Sequence, residues 1–365
     1  MSYSRRNSSE NAATRGALTL GKPKIQTMKE LSKAIGISRP TLARYFEDET
    51  SVMPSTATKI RTGLENVDYV YNFLATRQNR KSTGLIGVVI PQFEDLFYAS
   101  LLDSIEVAVR SAGFTMITQC SLGASDSEER AMRKLRSMNV DGAIIAPLGI
   151  GNGSEEIKKA SCDFPIVFVD SQPAEFPENT DFIGTDNTNS IGLMVDYLCR
   201  TGDAPVFMSM PTLNANAIGR RDAYFHHMAV RGRRGELVPT SDGMETWQFE
   251  RFGFEVMDAH FSQGNYKNAT ILCANDRIAI GAIRAANTHG LISRGGAAPQ
   301  ALRIAGHDDH PLSRYIYPSV TTVAQDVNGI GADAVRLLVD RIKNGYGDGN
   351  QTLLRDAVLK IRESA

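Results

Sequence analysis

The chain has 365 residues, of which 42% are hydrophobic and 22% charged, and its formal net charge at pH 7 is -1. This length predicts two or three domains with ample chain to bury a core. The apolar runs are too short to cross a membrane, and the polar N-terminus does not resemble a secretory signal, so we expect a cytoplasmic protein without a membrane partner. Its four cysteines are widely spaced, without a metal-binding pattern, and are expected to be reduced.

The charge is distributed unevenly along the chain. Residues 1–82 hold 14 Lys and Arg against 7 Asp and Glu, whereas residues 83–365 hold 26 against 34. A basic head joined to an acidic body is typical of a nucleic-acid reader attached to another domain, and a basic tail without a partner is the alternative. Residues 1–23 are rich in Ser, Asn and Arg, lack periodicity and are predicted to be disordered.

Residues 27–46 predict two short helices joined by a turn at Gly36. Apolar residues recur at helical spacing in both halves, namely Leu31, Ala34, Ile35, Leu42, Tyr45 and Phe46. Ser38 can cap the second helix, and Pro40 suits its first turn, where no backbone N–H is needed. This pattern is typical of a helix-turn-helix that inserts its second helix into DNA, although a helical hairpin with a basic face would share it.

A third helix is predicted after Ser55, which can serve as its cap, and it completes a headpiece over residues 24–68. Its core-facing side chains are Ile60, Leu64 and Val67. Residues 69–83 follow as a polar, basic hinge. Such a connector either folds when it meets DNA or remains a flexible linker.

From Leu85 onward, short apolar runs alternate with helical segments. The runs are LIGVVIP, TMITQC, GAIIAP, PIVFVD, PVFMSM, TILCAN and LRIAGHDD. Alternating strands and helices predict parallel sheets with helices on both faces, and two such series predict two similar lobes. We assign residues 84–183 and 327–348 to the first lobe, and residues 184–326 and 349–365 to the second. Polar residues that end such strands are candidates for ligand binding.

The ordered segments resemble the lac/gal repressor family of bacterial transcription regulators. The resemblance extends from about Thr27 to the C-terminus and rests on the headpiece followed by IGVVIP, DGAIIAP, FVD, GTDN, CANDRIAIGAIRA, GHDD and PSVTTVAQD. It implies an all-α headpiece followed by a two-lobed, periplasmic-binding-protein-like α/β core. It further implies a homodimer, or a tetramer, on double-stranded, pseudo-palindromic operator DNA. A small effector, commonly a sugar or sugar derivative, would bind between the lobes, without any other cofactor.

The resemblance implies DNA contacts at Arg39, Pro40, Thr41, Arg44, Tyr69, Asn72 and Leu74. Arg39 and Pro40 match base-reading positions, and arginine can address guanine O6 and N7 bidentately. Thr41 and Arg44 match positions that touch phosphate or steady the helix. Gln78 stands where the family often has a minor-groove leucine, which weakens the expectation that the hinge bends the operator.

The resemblance implies effector contacts at Asp95, Phe97, Tyr98, Asp170, Arg220, Trp247, Asn275, Asp308 and Val327, with Phe249 as an alternative to Trp247. Carboxylate, guanidinium and amide groups each make two hydrogen bonds, which suits a pentose, hexose, polyol or charged derivative. Asp186 and Asn187 either cap the following helix or touch ligand. Asp276 and Asp309 more often bond to loop backbone. His307 and His310 flank two acids, but a metal site there is disfavoured because further partners are missing.

The predicted function is a transcriptional regulator that represses carbohydrate transport or catabolism genes, with the effector acting as inducer or as corepressor. A solute-binding protein that delivers a sugar to a transporter is the alternative, and the basic headpiece argues against it. An enzyme working between the lobes is a third hypothesis. It is disfavoured because the chain has no phosphate loop and no nucleophile elbow.

Overall fold

The computed structural model describes residues 22–72, 82–149, 155–173, 175–240, 246–292, 302–346 and 349–365. All but the last two residues of the predicted disordered segment 1–23 lie outside these ranges. The chain divides into two compact units, Met1–Lys81 and Ser82–Ala365. Among the described helices, none is long and apolar enough to span a membrane.

The first unit is a small helical headpiece closed by a two-stranded parallel sheet. Its elements are β1 (Lys24–Ile25), α1 (Met28–Ile35), α2 (Arg39–Glu47), a 3-10 turn (Glu49–Ser51), α3 (Pro54–Glu65) and β2 (Asp68–Tyr69). Each helix contributes one fully buried side chain to the core, namely Leu31, Leu42 and Ile60. The predicted three-helix headpiece is therefore present, although its core is small.

The ends of the first helices follow from local sequence. Thr27 and Glu30 form a capping box, in which each side chain accepts a hydrogen bond from the other's backbone N–H. Gly36 ends α1 with a φ of 70°, a left-handed conformation that suits glycine. The turn predicted at Gly36 is confirmed, and Ser38 can then begin the next helix.

Two details of the predicted headpiece need correction. Ala34 is exposed, and Met28 packs on the core instead. Ser55 does not cap α3, because the helix already begins at Pro54. Met53 precedes it and makes no side-chain cap hydrogen bond, so a proline in the first turn sets the start of this helix.

The first lobe of the second unit is built on a six-stranded parallel sheet in the order β12-β7-β6-β5-β3-β4. Its strands are β3 (Leu85–Ile90), β4 (Thr115–Cys120), β5 (Gly142–Ile145), β6 (Ile166–Val169), β7 (Thr180–Thr185) and β12 (Thr352–Arg355). Its helices are α4 (Leu96–Ser111), α5 (Ser125–Ser137), α6 (Glu155–Asp163) and α11 (Val327–Asn344). The central strands β3, β5, β6 and β7 are buried along their whole length, as helices on both faces require.

The second lobe has a three-stranded parallel sheet in the order β10-β9-β8 and a separate antiparallel pair, β11 and β13. Its strands are β8 (Val206–Met208), β9 (Thr270–Cys273), β10 (Arg303–Ala305), β11 (Thr322–Ala324) and β13 (Val358–Lys360). Its helices are α7 (Asn187–Thr201), α8 (Ala215–Val230), α9 (Phe249–Ser262) and α10 (Asp276–Thr288). The predicted pair of α/β lobes is therefore observed.

The predicted lobe boundaries are corrected at the C-terminus. The sequence predicts that residues 349–365 all belong to the second lobe, but β12 pairs in parallel with β7 of the first lobe, with Thr352 opposite Phe182. Strand β12 is short and mostly exposed, so neither its length nor its burial pattern predicts which sheet it joins. The chain consequently passes between the lobes after β7, after β11 and after β12, and these crossings bring strand ends of both lobes together.

Helices α9 and α10 pack unusually closely because each contributes a glycine to their contact. A Cβ atom at Gly281 would lie 2.0 Å from the carbonyl oxygen of Glu250, and one at Gly253 would lie 2.2 Å from that of Ile278. Since backbone cannot yield as a flexible side chain does, we expect Gly281→Ala to lower the free energy of unfolding by about 1–3 kcal/mol in urea denaturation.

The matched control for this substitution is Gly219→Ala in α8, where the nearest atom to an added Cβ is 3.6 Å away. Alanine is the better helix former, so this variant should be neutral or stabilised by up to about 1 kcal/mol. Equal effects of the two substitutions would contradict the close approach of α9 and α10.

Candidate functional site

Helix α2 presents a basic surface at its N-terminal end. The predicted cap is confirmed, because the Ser38 hydroxyl accepts a hydrogen bond from the Thr41 backbone N–H at 3.3 Å. The fully buried Leu42 fixes the inner face of the helix. The exposed side chains of the helix are Arg39, Pro40 and Arg44, with Glu47 at its C-terminal end. The helix thus carries two arginines on the face that a helix-turn-helix turns towards DNA.

Tyr69 lies in β2 and packs within the headpiece rather than in a free hinge. Its ring centroid lies 5.8 Å from that of Phe46, and Tyr71 stacks on the same ring at 4.6 Å. The headpiece therefore extends beyond its predicted end at residue 68. Asn72 is exposed at the end of the described stretch, and the predicted contact Leu74 lies outside the described residues.

A cavity lies between the lobes, where the carboxyl ends of their parallel strands meet. Its volume is about 30 Å³, room for on the order of two water molecules. The lining side chains are Asp95, Phe97, Tyr98, Asp170, Met210, Asn214, Asn216, Arg220, Trp247, Phe249, Asn275, Arg277, Asp308, His310 and Gln325. Eight of the nine predicted positions are among them. A sugar-sized molecule can enter only if the lobes separate or side chains turn away.

Asp170 directly follows β6 with a φ of 64°, a conformation uncommon outside glycine. Its carboxylate accepts hydrogen bonds from the Tyr98 hydroxyl at 2.9 Å and from the Asn216 side-chain amide at 3.0 Å. Burial raises the pKa of Asp170 to about 6, although the charge of Arg220 opposes this shift. The carboxyl group therefore ionises closer to neutral pH than an exposed aspartate does.

Asp308 follows β10 and is the acceptor of a buried cluster. It accepts hydrogen bonds from Arg220 Nη2 at 2.8 Å, His307 Nδ1 at 2.7 Å and Gln325 Nε2 at 2.8 Å. Burial alone would raise the pKa of Asp308, but Arg220 and His307 lower it to about 2. Arg220 also donates to the carbonyl of Ala274 at 2.8 Å, so its guanidinium is held rigidly at the cavity wall.

Arg277 was not predicted, yet it joins the two lobes. Its Nη1 donates to Asp95 in the first lobe at 3.0 Å, while its Nε and Nη2 each donate to Glu250 in the second lobe at 2.7 Å. The guanidinium carbon also lies 5.3 Å from the ring centroid of Phe249. These contacts fix the arginine in the cavity wall and tie the first lobe to the second.

The aromatic side chains form a second connection between the lobes. The Trp247 Nε1 group donates to the carbonyl oxygen of Gly123 at 3.4 Å, and its ring lies 5.7 Å from that of Phe249. On the first lobe, Phe97 meets Tyr98 edge to face at 5.3 Å. Because Trp247 is the chain's single tryptophan, its fluorescence reports directly on the contact between the lobes.

Two residues predicted to contact the effector are placed differently from what was expected. Val327 begins α11 and lines a neighbouring cavity of about 290 Å³ rather than the central one. Asn275 lines the central cavity, but its oxygen caps α10 by accepting from the Ile278 backbone N–H at 2.9 Å. Its amide nitrogen lies 3.7 Å from the Met210 sulfur, so only this group faces the cavity as a donor.

Three other acidic residues have structural roles, as a helix cap, a buried hydrogen-bond acceptor and an ion-pair partner. Asp186 caps α7 through the backbone N–H three residues later. Asp276 is fully buried and accepts hydrogen bonds from two hydroxyls and one backbone N–H. Asp309 pairs with Arg314 and Arg362. Asn187 instead supports the site, because its oxygen accepts from Arg220 Nε at 3.2 Å.

Sequence reasoning missed several polar side chains of the cavity wall. They are Asn214, Asn216, Arg277, His310 and Gln325. One available signal was position, because Gln325 directly follows β11, and Arg277 stands in the first turn of a helix that follows β9. The rule that ligand-binding residues follow parallel strands therefore pointed to these places as well.

The raised pKa of Asp170 has a measurable consequence for stability. Between pH 4 and 6 the folded protein keeps this carboxyl protonated while the unfolded chain releases the proton, so its contribution to stability falls as pH rises. Asp170→Asn removes that dependence. The variant's free energy of unfolding relative to wild type should increase by about 2 kcal/mol from pH 4 to pH 6. The exposed Asp203→Asn is the control, and a flat difference for Asp170→Asn would contradict the assignment.

Comparisons with known proteins agree with this two-part architecture. Residues 26–70 match the helix-turn-helix domain, and residues 211–365 match the periplasmic binding protein-like domain. Over 93% of its length the chain is 26% identical to the HTH-type transcriptional regulator PtxS of Pseudomonas plecoglossicida, of which it covers 95%. These two domain matches and this relative support a LacI/GalR-type transcriptional regulator.

Solved structures show the same fold for this LacI/GalR-type regulator. The lac repressor dimer bound to operator and the anti-inducer ONPF aligns with a TM-score of 0.75 at 20% identity, covering 93% of this chain and 98% of that one. The complex of the transcriptional regulator CelR with cellobiose aligns with a TM-score of 0.62 at 20% identity, covering 93% and 99%. LacI/GalR-type regulators bind operator DNA and form dimers.

Proposed function

We propose that this regulator represses genes of carbohydrate transport or catabolism, and that a polyhydroxylated effector bound between the lobes controls its affinity for operator DNA. The proposal rests on the set of polar side chains that forms the cavity wall. Asp170, Arg220 and Asp308 converge there with fixed hydrogen-bonding geometry. Hydroxyl groups both donate and accept, so a sugar can satisfy carboxylate, guanidinium and amide groups at once.

The aromatic side chains support a sugar-like ligand. Phe97 and Trp247 line the cavity from opposite lobes, beside the polar cluster. A sugar ring has an apolar face as well as hydroxyl groups, and such a face packs favourably against an aromatic ring. The transcriptional regulator CelR, which shares the fold, has a solved structure in complex with cellobiose. We propose that this chain binds a ligand of related chemistry.

Control of DNA binding would follow from movement of the lobes. The cavity is too small for a sugar while Arg277 bridges Asp95 and Glu250, so a sugar can enter only if the lobes separate or side chains turn away. Of these two, we propose that the spacing of the lobes changes. A ligand shifts such an equilibrium only by its difference in affinity between the two arrangements. In a dimer, a change in the first lobe's position would alter how the paired headpieces meet their half-sites.

A thermal-shift screen of the purified protein against neutral sugars, polyols and their charged derivatives tests this proposal. A ligand present at 100 times its Kd stabilises the folded state by about 2.7 kcal/mol, so a genuine effector must raise Tm. Wild type should respond to a sugar, and Asp308→Asn, which disrupts the cavity wall, should lose the response. If every compound in the panel leaves Tm unchanged, a carbohydrate effector is contradicted.

A further inference from the structure

The cleft carries more negative than positive charge. Three carboxylates line the cavity, namely Asp95, Asp170 and Asp308, and a fourth, Glu250, pairs with Arg277 outside the cavity wall. Two guanidinium groups line it, those of Arg220 and Arg277. The one lining histidine, His310, has its pKa lowered by burial, so it adds no positive charge at neutral pH. An entering ligand therefore meets a surplus of carboxylates.

Both arginines of the cleft are already neutralised by partners. Arg220 pairs with Asp308 at 2.8 Å, and both side chains are largely buried. Arg277 is held more firmly, because Glu250 engages it with both carboxylate oxygens and Asp95 takes a third N–H group. Three of the five N–H donors of Arg277 are thus directed at carboxylates. Neither guanidinium carries unbalanced positive charge that would attract an anion.

Asp170 supplies the surplus negative charge. Within the described part of the chain it makes no ion pair, and its two hydrogen bonds come from the neutral donors Tyr98 and Asn216. The carboxylate is buried, with 6% of its residue surface exposed. A neutral hydroxyl can donate to it, whereas a phosphate or carboxylate placed beside it would be repelled.

We infer that the cleft binds an uncharged, hydroxyl-rich ligand and excludes its anionic derivatives, and that Glu250 sets this selectivity by holding Arg277. The inference rests on the proposed function and narrows its ligand class. Glu250 is a positioning residue here, since it is not part of the cavity wall and acts through the arginine. Without Glu250, the Arg277 guanidinium would keep its charge and lose the partner that occupies two of its N–H groups.

The first test compares matched ligands on the full-length wild-type protein. D-glucose and D-glucose 6-phosphate, D-ribose and D-ribose 5-phosphate, and neutral disaccharides and polyols with their acids or phosphates are titrated by calorimetry. We expect a neutral member to bind, with its anionic counterpart at least about tenfold weaker. An anionic member that binds equally well or better overturns the inference while leaving the proposed function intact. Absence of binding by every pair removes the proposed function, and this inference with it.

The second test compares Glu250→Gln with Glu255→Gln. Both substitutions remove one negative charge from α9, but Glu255 pairs with the exposed Arg251 outside the cleft. Glu250→Gln should reduce the preference for the neutral member by at least about fivefold, because Arg277 is freed to meet an anion. Glu255→Gln should leave the preference at its wild-type value. An unchanged preference in folded Glu250→Gln, checked by Tm and Trp247 emission, overturns the role of Glu250. If that variant does not fold, the wild-type comparison of paired ligands decides.

Discussion

Replacing Arg220 with alanine should lower the free energy of unfolding by about 3–5 kcal/mol and abolish the proposed response to effector. The cause is the carboxylate that remains. The Asp308 side chain is only 17% exposed, and the neighbouring charge lowers its pKa to about 2, so removal of the arginine leaves a largely buried anion without its partner. The carbonyl of Ala274 also loses its donor. Urea denaturation monitored by circular dichroism measures the loss.

The control is Arg221→Ala, at the next position of the same helix. The Arg221 side chain is 40% exposed and contacts only its neighbour Asp222 among the described ion pairs, so its removal should change stability by less than about 0.5 kcal/mol. A double variant, Arg220→Met with Asp308→Asn, removes the buried charge together with its partner and should recover part of the stability. Equal losses in Arg220→Ala and Arg221→Ala would show that the buried pair contributes little.

The second large effect is expected at the DNA interface. Arg39→Ala should cost about 1–3 kcal/mol per half-site and relax sequence preference at one base pair of each half-site, because we propose that this arginine reads a base edge. Arg39 is exposed at the first position of α2, directly after the Ser38 cap. Its loss should therefore leave the headpiece folded. Sequencing of the duplexes that wild type and variant select from randomised DNA measures the change.

Arg44→Ala provides the comparison, since Arg44 matches a position that touches phosphate or steadies the helix. Its removal should weaken binding to all sequences alike and reduce the slope of log affinity against log salt by roughly one per contact. A uniform loss of affinity in Arg39→Ala, without any change in the selected sequence, would contradict the proposed base contact.

The alternation of buried strands and amphipathic helices was enough to predict both lobes, because parallel strands covered on both faces must be continuously apolar. Two features were not predicted, the sheet that β12 joins and the packing of the two tyrosines after α3, and each has a physical reason. Strand β12 is exposed and lies at a sheet edge, where pairing rather than burial defines it. Tyr69 and Tyr71 looked like parts of a connector, since only the folded headpiece shows that both rings pack on Phe46.

The cavity was partly predictable for a similar reason. Asp170 directly follows β6 and Asp308 lies three residues after β10, so the fold alone placed them at the meeting point of the lobes. The bridge formed by Arg277 was missed because its partners, Asp95 and Glu250, are 182 and 27 residues away in sequence. Pairings across a closing cleft leave no periodicity in the chain. They become visible only when both lobes are assembled.

The most direct test of the account is a fluorescence-anisotropy titration of a duplex selected by the protein, with and without the sugar that raises its Tm. Trp247 emission recorded in the same samples reports whether the lobes move. If the cleft controls DNA binding, the sugar should change operator Kd by at least about fivefold in either direction. Asp308→Asn should bind the duplex but fail to respond. A sugar that occupies the cleft and shifts Trp247 emission while leaving operator Kd unchanged would contradict the account.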